Sequence, residues 1–288
     1  KAPFNYQIEY TMAMQLKSPK DLSLLEVLKL LAPESSKNSL RSWIEKGRVT
    51  IEGKEAKKAT ILVKEGEEVV VGKKINFISK EIKVFYEDEH LIVIEKPAGL
   101  LSVMTDLDTT NNAHYVLKRR FHSQRVFPVH RLDRDTSGVM VFAYSDVARQ
   151  GLKNQFIKHT ICREYIAIAE GKVEPLEGTW KSYLREDKNY FVKSSSHGGQ
   201  LAITHFKVVK QNAHYSLLHL TLETGRKNQI RVHASEAGFP LLGDSKYGKG
   251  QKQRLYLHAS LLAFDHPIKR KKLSFESKPP ESFAAQIN

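Results

Sequence analysis

Phe127-Pro128-Val129-His130-Arg131-Leu132-Asp133-Arg134-Asp135-Thr136-Ser137-Gly138-Val139-Met140-Val141-Phe142 sets four formally charged residues between Pro128 and Thr136, then runs straight into an apolar, β-branched stretch. Such a segment reads as a loop or tight turn feeding a buried strand. Thr136, Ser137 and Gly138 supply turn chemistry where the chain enters that strand. A carboxylate at such a position stands at the edge of a core, beside Arg131 and Arg134. Fixed cations nearby keep a carboxylate ionised and aim it.

The rest of the chain gives this stretch a basic, globular setting. It has 288 residues, enough for one large domain or a large and a small one, with 41% hydrophobic and 27% charged residues. The formal net charge is +14 and the sequence pI about 9.6. A surplus of that size lies on the surface and attracts polyanions, so nucleic acid is the first candidate partner. The single cysteine, Cys162, excludes an intramolecular disulfide and a Cys-based zinc site, and fits a reducing cytosol. Cys162 lies in an apolar run and reads as buried filler. No run of about 18 apolar residues exists, so no membrane span is expected. There is no signal-peptide pattern, and the first residue is Lys rather than Met, which points to a trimmed start.

Upstream, residues 1–20 lack periodicity and read as an arm. Asp21 to Leu31 is apolar on helical spacing, with Asp21 as a candidate cap and Pro33 as the stop. Ser35 or Ser36 can cap a second helix through Leu40, Trp43 and Ile44, ended by Gly47. Short strands follow at Arg48–Ile51, Ile61–Val63 and Val69–Val71, with a Glu52-Gly53 turn. After a linker over 73–82, Val84-Phe85-Tyr86 and Leu91-Ile92-Val93-Ile94 read as a hairpin closed by Lys96-Pro97-Ala98-Gly99. Residues 111–126 form an amphipathic helix with Lys118, Arg119, Arg120 and Arg125 at its end. Cations there suit the negative helix end and also suit phosphate.

Downstream, Val139–Ala143 is a strand and Asp146–Lys158 a helix; Cys162–Ala169 is an alternating strand carrying Arg163 and Tyr165. Residues 172–200 read as loops and short strands. Ala202–Val209 and the segment from Tyr215 to Thr221 form a β-pair across Gln211-Asn212. Then comes Thr224-Gly225-Arg226-Lys227-Asn228-Gln229-Ile230-Arg231-Val232-His233-Ala234, followed by Gly243-Asp244-x-x-Tyr247-Gly248 and Leu257-His258-Ala259. The run Lys269–Lys272 reads as a solvated turn between strands.

Taken together, His130-Arg131-Leu132-Asp133 with Thr136-Ser137-Gly138, Arg163-x-Tyr165 and the Thr224–His233 segment resemble, in order, the motifs of pseudouridine synthases of the large-subunit rRNA type, the RluA family. Two positions depart from its pattern: Asn228 stands where the family has His, and Leu101-Ser102-Val103 replaces Val-His-Pro. Two helices, a Gly stop, Val-x-Ile-x-Gly and a late Gly-Glu-Glu-Val strand resemble an S4 RNA-binding domain, with Ser36-Lys37 in place of the common Ser-Arg. The resemblance implies an α+β protein: an arm over 1–20, an S4-like domain over 21–80, and a catalytic domain over 81–288 on a mixed or antiparallel sheet flanked by helices. It implies a cytoplasmic, monomeric enzyme acting on structured RNA, 23S rRNA first and tRNA as the alternative.

Pseudouridine formation moves uracil from an N1 to a C5 glycosidic link, with no redox step and no metal or other cofactor expected. The resemblance makes Asp133 the catalytic carboxylate and gives Arg231 as its ion-pair partner, lowering its pKa. Arg131 would help open the RNA, Tyr165 would stack on the target base, and Ile230 would form an apolar wall. Lys37, Arg41, Lys46 and Arg48 are candidate phosphate contacts. Covalent attack by Asp133 and removal of a ribose proton are equally compatible with the residues. Other readings are weaker. His130, Asp133 and Asp135 as metal ligands lack a second cluster at a helpful spacing. A kinase loop lacks its Gly-rich loop and Asp-Phe-Gly, and no Gly-x-Ser-x-Gly is present. The serious rival is a non-catalytic RNA-binding protein. Against it, a carboxylate in a polyanion-binding cleft repels phosphate and is explained only by chemistry.

Overall fold

Ser23 opens the first helix. Its side chain accepts the Glu26 N–H at 3.4 Å while the Glu26 carboxylate accepts the Ser23 N–H at 2.8 Å, a reciprocal capping box. Helix α1 is therefore Leu24–Leu31, and the cap expected at Asp21 lies two residues further on. Asp21 instead accepts the Glu65 N–H at 2.9 Å. Helix α2 is Lys37–Glu45, with Ser36 accepting the Ser39 N–H at 3.1 Å. The computed structural model describes residues 14–45, 48–72, 76–77, 82–106, 108–120, 125–250 and 253–288. The chain divides into two units, Lys1–Asn76 and Phe77–Asn288.

In the small unit, strands β1 (Met14–Lys17), β2 (Val49–Ile51), β3 (Lys54–Glu55) and β4 (Glu68–Val71) form an antiparallel sheet in the order β1-β4-β2-β3. Thus the last part of the expected arm, Met14–Lys17, is an edge strand, because Leu16 and its neighbours find free backbone groups along β4. Glu52 and Gly53 both take positive φ (47° and 75°), the two-residue turn that matches strand twist. Leu24, Val27 and Leu28 of α1 pack with Leu40 and Ile44 of α2 over Val49, Val63, Val69 and Val71.

The large unit is built on a twelve-stranded mixed sheet. Its main strands are β5 (Lys83–Glu87), β6 (Leu91–Lys96), β7 (Ser137–Ala143), β8 (Cys162–Glu170), β9 (Glu177–Glu186), β10 (Val192–Ser194), β11 (Gln200–Gln211), β12 (Tyr215–Leu222), β13 (Leu257–Asp265) and β14 (Lys272–Glu276). The order runs β10-β9-β11-β12-β8-β13-β7-β6-β5, with β14 added to β13 and Phe127–Pro128 added to β7. Residues 172–200, expected as loops and short strands, contain the ten-residue β9. Helices α3 (Ala113–Arg120), α4 (Asp146–Ile157), α5 (Gln229–Glu236) and α6 (Glu281–Ile287) cover the sheet. The described part of the expected 111–126 helix ends at Arg120, and Phe127–Pro128 is already strand.

Strand β7 is buried at every position, which explains its unbroken apolar sequence. Met140 and Phe142 join the core shared with Tyr165 and Ile230, whereas Val139, Val141 and Ala143 pack towards Ala148 and Leu152 of α4. At its start β7 pairs in parallel with β13, Ser137 opposite His258 and Gly138 opposite Ala259. Gly138 has φ +123°, and a Cβ there would lie 2.2 Å from the Ala259 carbonyl oxygen. Only glycine lets the two backbones approach this closely directly after the charged loop.

Candidate active site

The charged loop before β7 is held from below by two buried side chains. Ser102 donates its hydroxyl to the Leu132 carbonyl at 2.7 Å and accepts the Leu132 N–H at 2.9 Å. The fully buried Lys96 donates to the carbonyls of Pro97 (2.9 Å), Leu100 (2.6 Å) and Arg134 (2.9 Å). Burial pushes the Lys96 ammonium down to about 7, opposed by the charges of Asp133 and Asp135. His130 accepts the Val141 N–H on Nε2 at 3.1 Å and stacks on Phe156 with centroids 4.8 Å apart. Burial, reinforced by Arg163, lowers it to about 3, so His130 is a neutral structural group whose Nε2 is already occupied. Among the described residues no group of three His, Cys, Asp or Glu side chains is gathered as a metal would need.

With its backbone pinned, Asp133 points its carboxylate towards Arg231, Oδ2 to Nη1 3.6 Å, with side chains 21% and 9% exposed. Arg231 comes from α5, nearly a hundred residues away, and its stronger partner is Asp244. Nε and Nη2 of Arg231 donate to the two Asp244 oxygens, both at 2.8 Å. Asp244 also accepts the N–H groups of Lys246 and Tyr247, each at 2.9 Å. The third guanidinium nitrogen, Nη1, donates to Asn228 Oδ1 at 3.2 Å as well as facing Asp133. Asn228 heads α5 in the left-handed conformation (φ 55°), which Asn tolerates well, and donates to the Tyr247 hydroxyl at 3.1 Å. Asn in the place of His thus still carries a hydrogen-bonding role.

The electrostatics differ from the simple pairing expected from the sequence. Burial raises the Asp133 pKa above its ordinary value, and Arg231, Arg131 and Lys96 oppose this without reversing it. The reason is geometric: Arg231 commits its best two-bond face to Asp244 and offers Asp133 only a longer contact. Burial also pushes Asp244 up, but there the Arg231 hydrogen bonds and charge prevail and hold it below the usual carboxylate range.

Under α5, Gln229 accepts from Thr224 Oγ1 (2.8 Å) and the Arg226 N–H (2.9 Å) and donates to Ile203 O and Thr204 Oγ1, both at 3.0 Å. Every hydrogen-bonding site of that buried amide is engaged or shared, which locks the turn leading into α5.

Asp133, Arg131, Tyr165, Ile230 and Arg231 all line one cavity of about 460 Å³, within the usual size of ligand pockets. Arg131 is exposed at its edge. Tyr165 sits on β8, 9% exposed, its hydroxyl pKa raised by burial. Ile230 is 4% exposed. Sequence reasoning did not select Arg163, Arg226 or Asp244 as site residues. Arg163 and Arg226 join Arg131 and Arg231 in the cavity wall; both stand inside motif segments, which was the available signal. Among the cavity's lining residues Asp133 is the one carboxylate beside four guanidinium groups and apolar walls, a setting that suits a flat neutral ring with an anionic group nearby, for which Arg131 is exposed at the edge.

In the small unit, Lys37 and Arg41 are exposed one turn apart on α2. Lys46 lies outside the described residues. Arg48 is not a free cation: Nε and Nη2 donate to the Gly72 carbonyl at 3.1 and 2.9 Å, and the guanidinium lies 5.0 Å from the Trp43 ring.

Comparison with known proteins gives the chain a family. Residues 90–236 match the family model for RNA pseudouridylate synthase. The chain is 37% identical to the uncharacterized RNA pseudouridine synthase YhcT of Bacillus subtilis, over 85% of either chain. It is 32% identical to the ribosomal large subunit pseudouridine synthase D of Pseudomonas aeruginosa, over 88% of this chain and 87% of that protein. Among solved structures, human RNA pseudouridylate synthase domain containing 4 superposes with a TM-score of 0.58 at 25% identity, covering 70% of this chain and 90% of that one. The chain belongs to the RluA-type family of RNA pseudouridine synthases, enzymes that isomerise uridine. Among the described residues no helix is long and apolar enough to cross a membrane.

Proposed function

We propose that the enzyme converts one or a few uridines of large-subunit rRNA to pseudouridine in the cytoplasm, with Asp133 as the catalytic carboxylate. The carrying observation is that Asp133, Arg131, Tyr165, Ile230 and Arg231 line a single cavity, with the Asp133 carboxylate 3.6 Å from Arg231. The rRNA substrate follows from relatives named ribosomal large subunit pseudouridine synthase D. The target uridine leaves its stack, at a cost of a few kcal/mol that is smallest for an unpaired base. Arg131, exposed beside the cavity, takes the vacated space. Tyr165 stacks on the uracil and Ile230 closes its other side. Asp133 meets the ribose or the base while Arg231, held by Asp244, keeps the carboxylate aimed. The enclosed walls retain the detached uracil until the C5 bond forms and the C5 hydrogen leaves as a proton. An S4-like small unit would add phosphate contacts through Lys37 and Arg41.

The test is turnover of rRNA carrying tritium at uracil C5, read as release to water. Asp133→Asn is expected to lower the rate on the order of 10³-fold or more, about 4 kcal/mol of barrier, with RNA affinity kept within a few fold. Near-normal release by this variant would reject Asp133 as the catalytic group.

A further inference from the structure

A row of alternating rings and cations leads away from Asp133 across the large unit. Arg231 lies 5.2 Å from the Tyr247 ring. Lys246 lies 5.7 Å from the same ring and 5.4 Å from that of Phe191, and Phe191 and Tyr247 themselves are 4.7 Å apart. Lys246 also donates to the Tyr190 carbonyl at 2.7 Å. Lys227 closes the row 5.4 Å from the Tyr190 ring while pairing with the Glu186 carboxylate. Arg226 lines both the Asp133 cavity and a second depression of about 290 Å³ bordered by Glu186, Val192 and Lys227, so the two are neighbours.

The turn that carries Tyr190 is built rigidly. Asp187 Oδ1 accepts the N–H groups of Asn189 (2.8 Å) and Phe191 (3.0 Å), and the Asp187 N–H donates to the Phe191 carbonyl at 2.8 Å. Within it Tyr190 adopts φ 58° and is 71% exposed. A bulky side chain in the left-handed region is strained, and an aromatic ring this exposed contributes nothing to the core. Strain of this kind is held where function uses it. Burial, then the charges of Lys227 and Arg231, push the Lys246 ammonium down against the opposing charges of Glu186 and Asp133, so three cations gather along this row.

We propose that this turn is a stacking platform for an unpaired nucleotide adjacent to the target uridine. Its base lies on Tyr190, and its phosphate lies between Lys227 and Lys246. The platform rests on the reading that the substrate is RNA. Alternating rings and cations suit single strands, because every unpaired base offers a π-face and every linkage a negative charge. A duplex hides those faces, so the platform selects uridines flanked by loop nucleotides.

The experiment uses the full chain and RNA stem-loops with the target uridine in the loop and 2-aminopurine at one neighbouring loop position per substrate. Binding of wild-type enzyme is expected to quench the fluorescence at one such position. Tyr190→Ala is expected to abolish that quenching and raise KM roughly tenfold with kcat within about twofold, while Tyr190→Phe restores both. A Tyr190→Ala enzyme with wild-type quenching and KM overturns the platform and leaves the isomerase reading intact. Quenching that depends on Tyr190 in an enzyme that releases no C5 tritium from any loop would sustain the platform and overturn the substrate reading instead.

Discussion

Arg231 has more acceptors around it than one guanidinium can serve equally, and the division decides the chemistry of Asp133. Its two-bond face belongs to Asp244, and Asp133 receives a 3.6 Å contact from the remaining nitrogen. With Asp133 as the proposed catalytic carboxylate, we read Asp244 as a positioning residue, because it holds the cation that faces that carboxylate. Asp244→Asn keeps the shape but loses half of the ionic fork, so the guanidinium can swing. Displacement of an oriented group by about 1 Å costs up to about 10²-fold. We expect kcat to fall by about 10- to 100-fold with KM little changed; a change confined to KM would contradict the role. Asp133 itself carries a second consequence. Its folded-state pKa is raised by burial, so the folded protein holds a proton at pH values where the unfolded chain has released it. Stability from this group is therefore lost as pH rises through that interval. Above the interval the buried charge is a standing cost, and Asp133→Asn removes it. The Asn variant should melt at a higher temperature than wild type at pH 7, and the difference should shrink as pH approaches the ordinary carboxylate range. An Asn variant less stable at pH 7 would show that the Arg231 contact outweighs burial, and a gain independent of pH would show that the Asp133 charge is not its source. Activity should fall from the acid side at a higher pH than a free carboxyl would give.

At the level of elements, the parallel pairing of β7 with β13 is what places the charged loop over the sheet. Gly138 permits it, because a Cβ would meet the Ala259 carbonyl at 2.2 Å and the backbone is at φ +123°. Gly138→Ala adds both a backbone clash and conformational strain, and should destabilise the large unit by more than about 3 kcal/mol, measurable by denaturant unfolding. A loss below about 1 kcal/mol would mean that the two strands part easily. Strand β7 was readable in sequence because burial on both faces demands an unbroken apolar run, and the hairpin of β5 and β6 because its apolar segments flank an acidic turn. Strand β9 was not: its inward positions are Gly178, Trp180, Ser182 and Leu184, so small and polar residues interrupt the apolar alternation, and only Leu184 is buried. The five residues that share the cavity stand out in the sequence because each sits in a motif with fixed neighbours. Ser102, Lys96 and Asp244 were not, since their roles are contacts to Leu132, Arg134 and Arg231 across folded space. The downward pKa expected for Asp133 failed for the same reason: the competing acceptor on Arg231 exists only in the fold.

Across the whole molecule, the net charge of +14 has two separate units on which to act. The core of the small unit runs from Leu24 to Val71, and the buried residues of the large unit begin at Ile82. Among the described residues the two buried clusters share no member, so each unit has the means to fold alone. Removing residues 1–76 should leave a chain that unfolds cooperatively and still isomerises a short stem-loop within a few fold of the full-length rate, since every residue lining the cavity lies beyond 128. What should be lost is grip on long rRNA. Lys37 and Arg41 go with the small unit, and each phosphate contact removed flattens the plot of log affinity against log salt by about 0.7 to 0.9. Affinity for an rRNA fragment at moderate salt should fall roughly tenfold or more, and the truncated enzyme should modify additional uridines once the second attachment no longer fixes its position. Binding across a salt series, with mapping of every pseudouridine formed, reads both effects. An unchanged salt slope would assign the charge of the small unit to something other than RNA, and loss of cooperative unfolding would join the two units into one folding body.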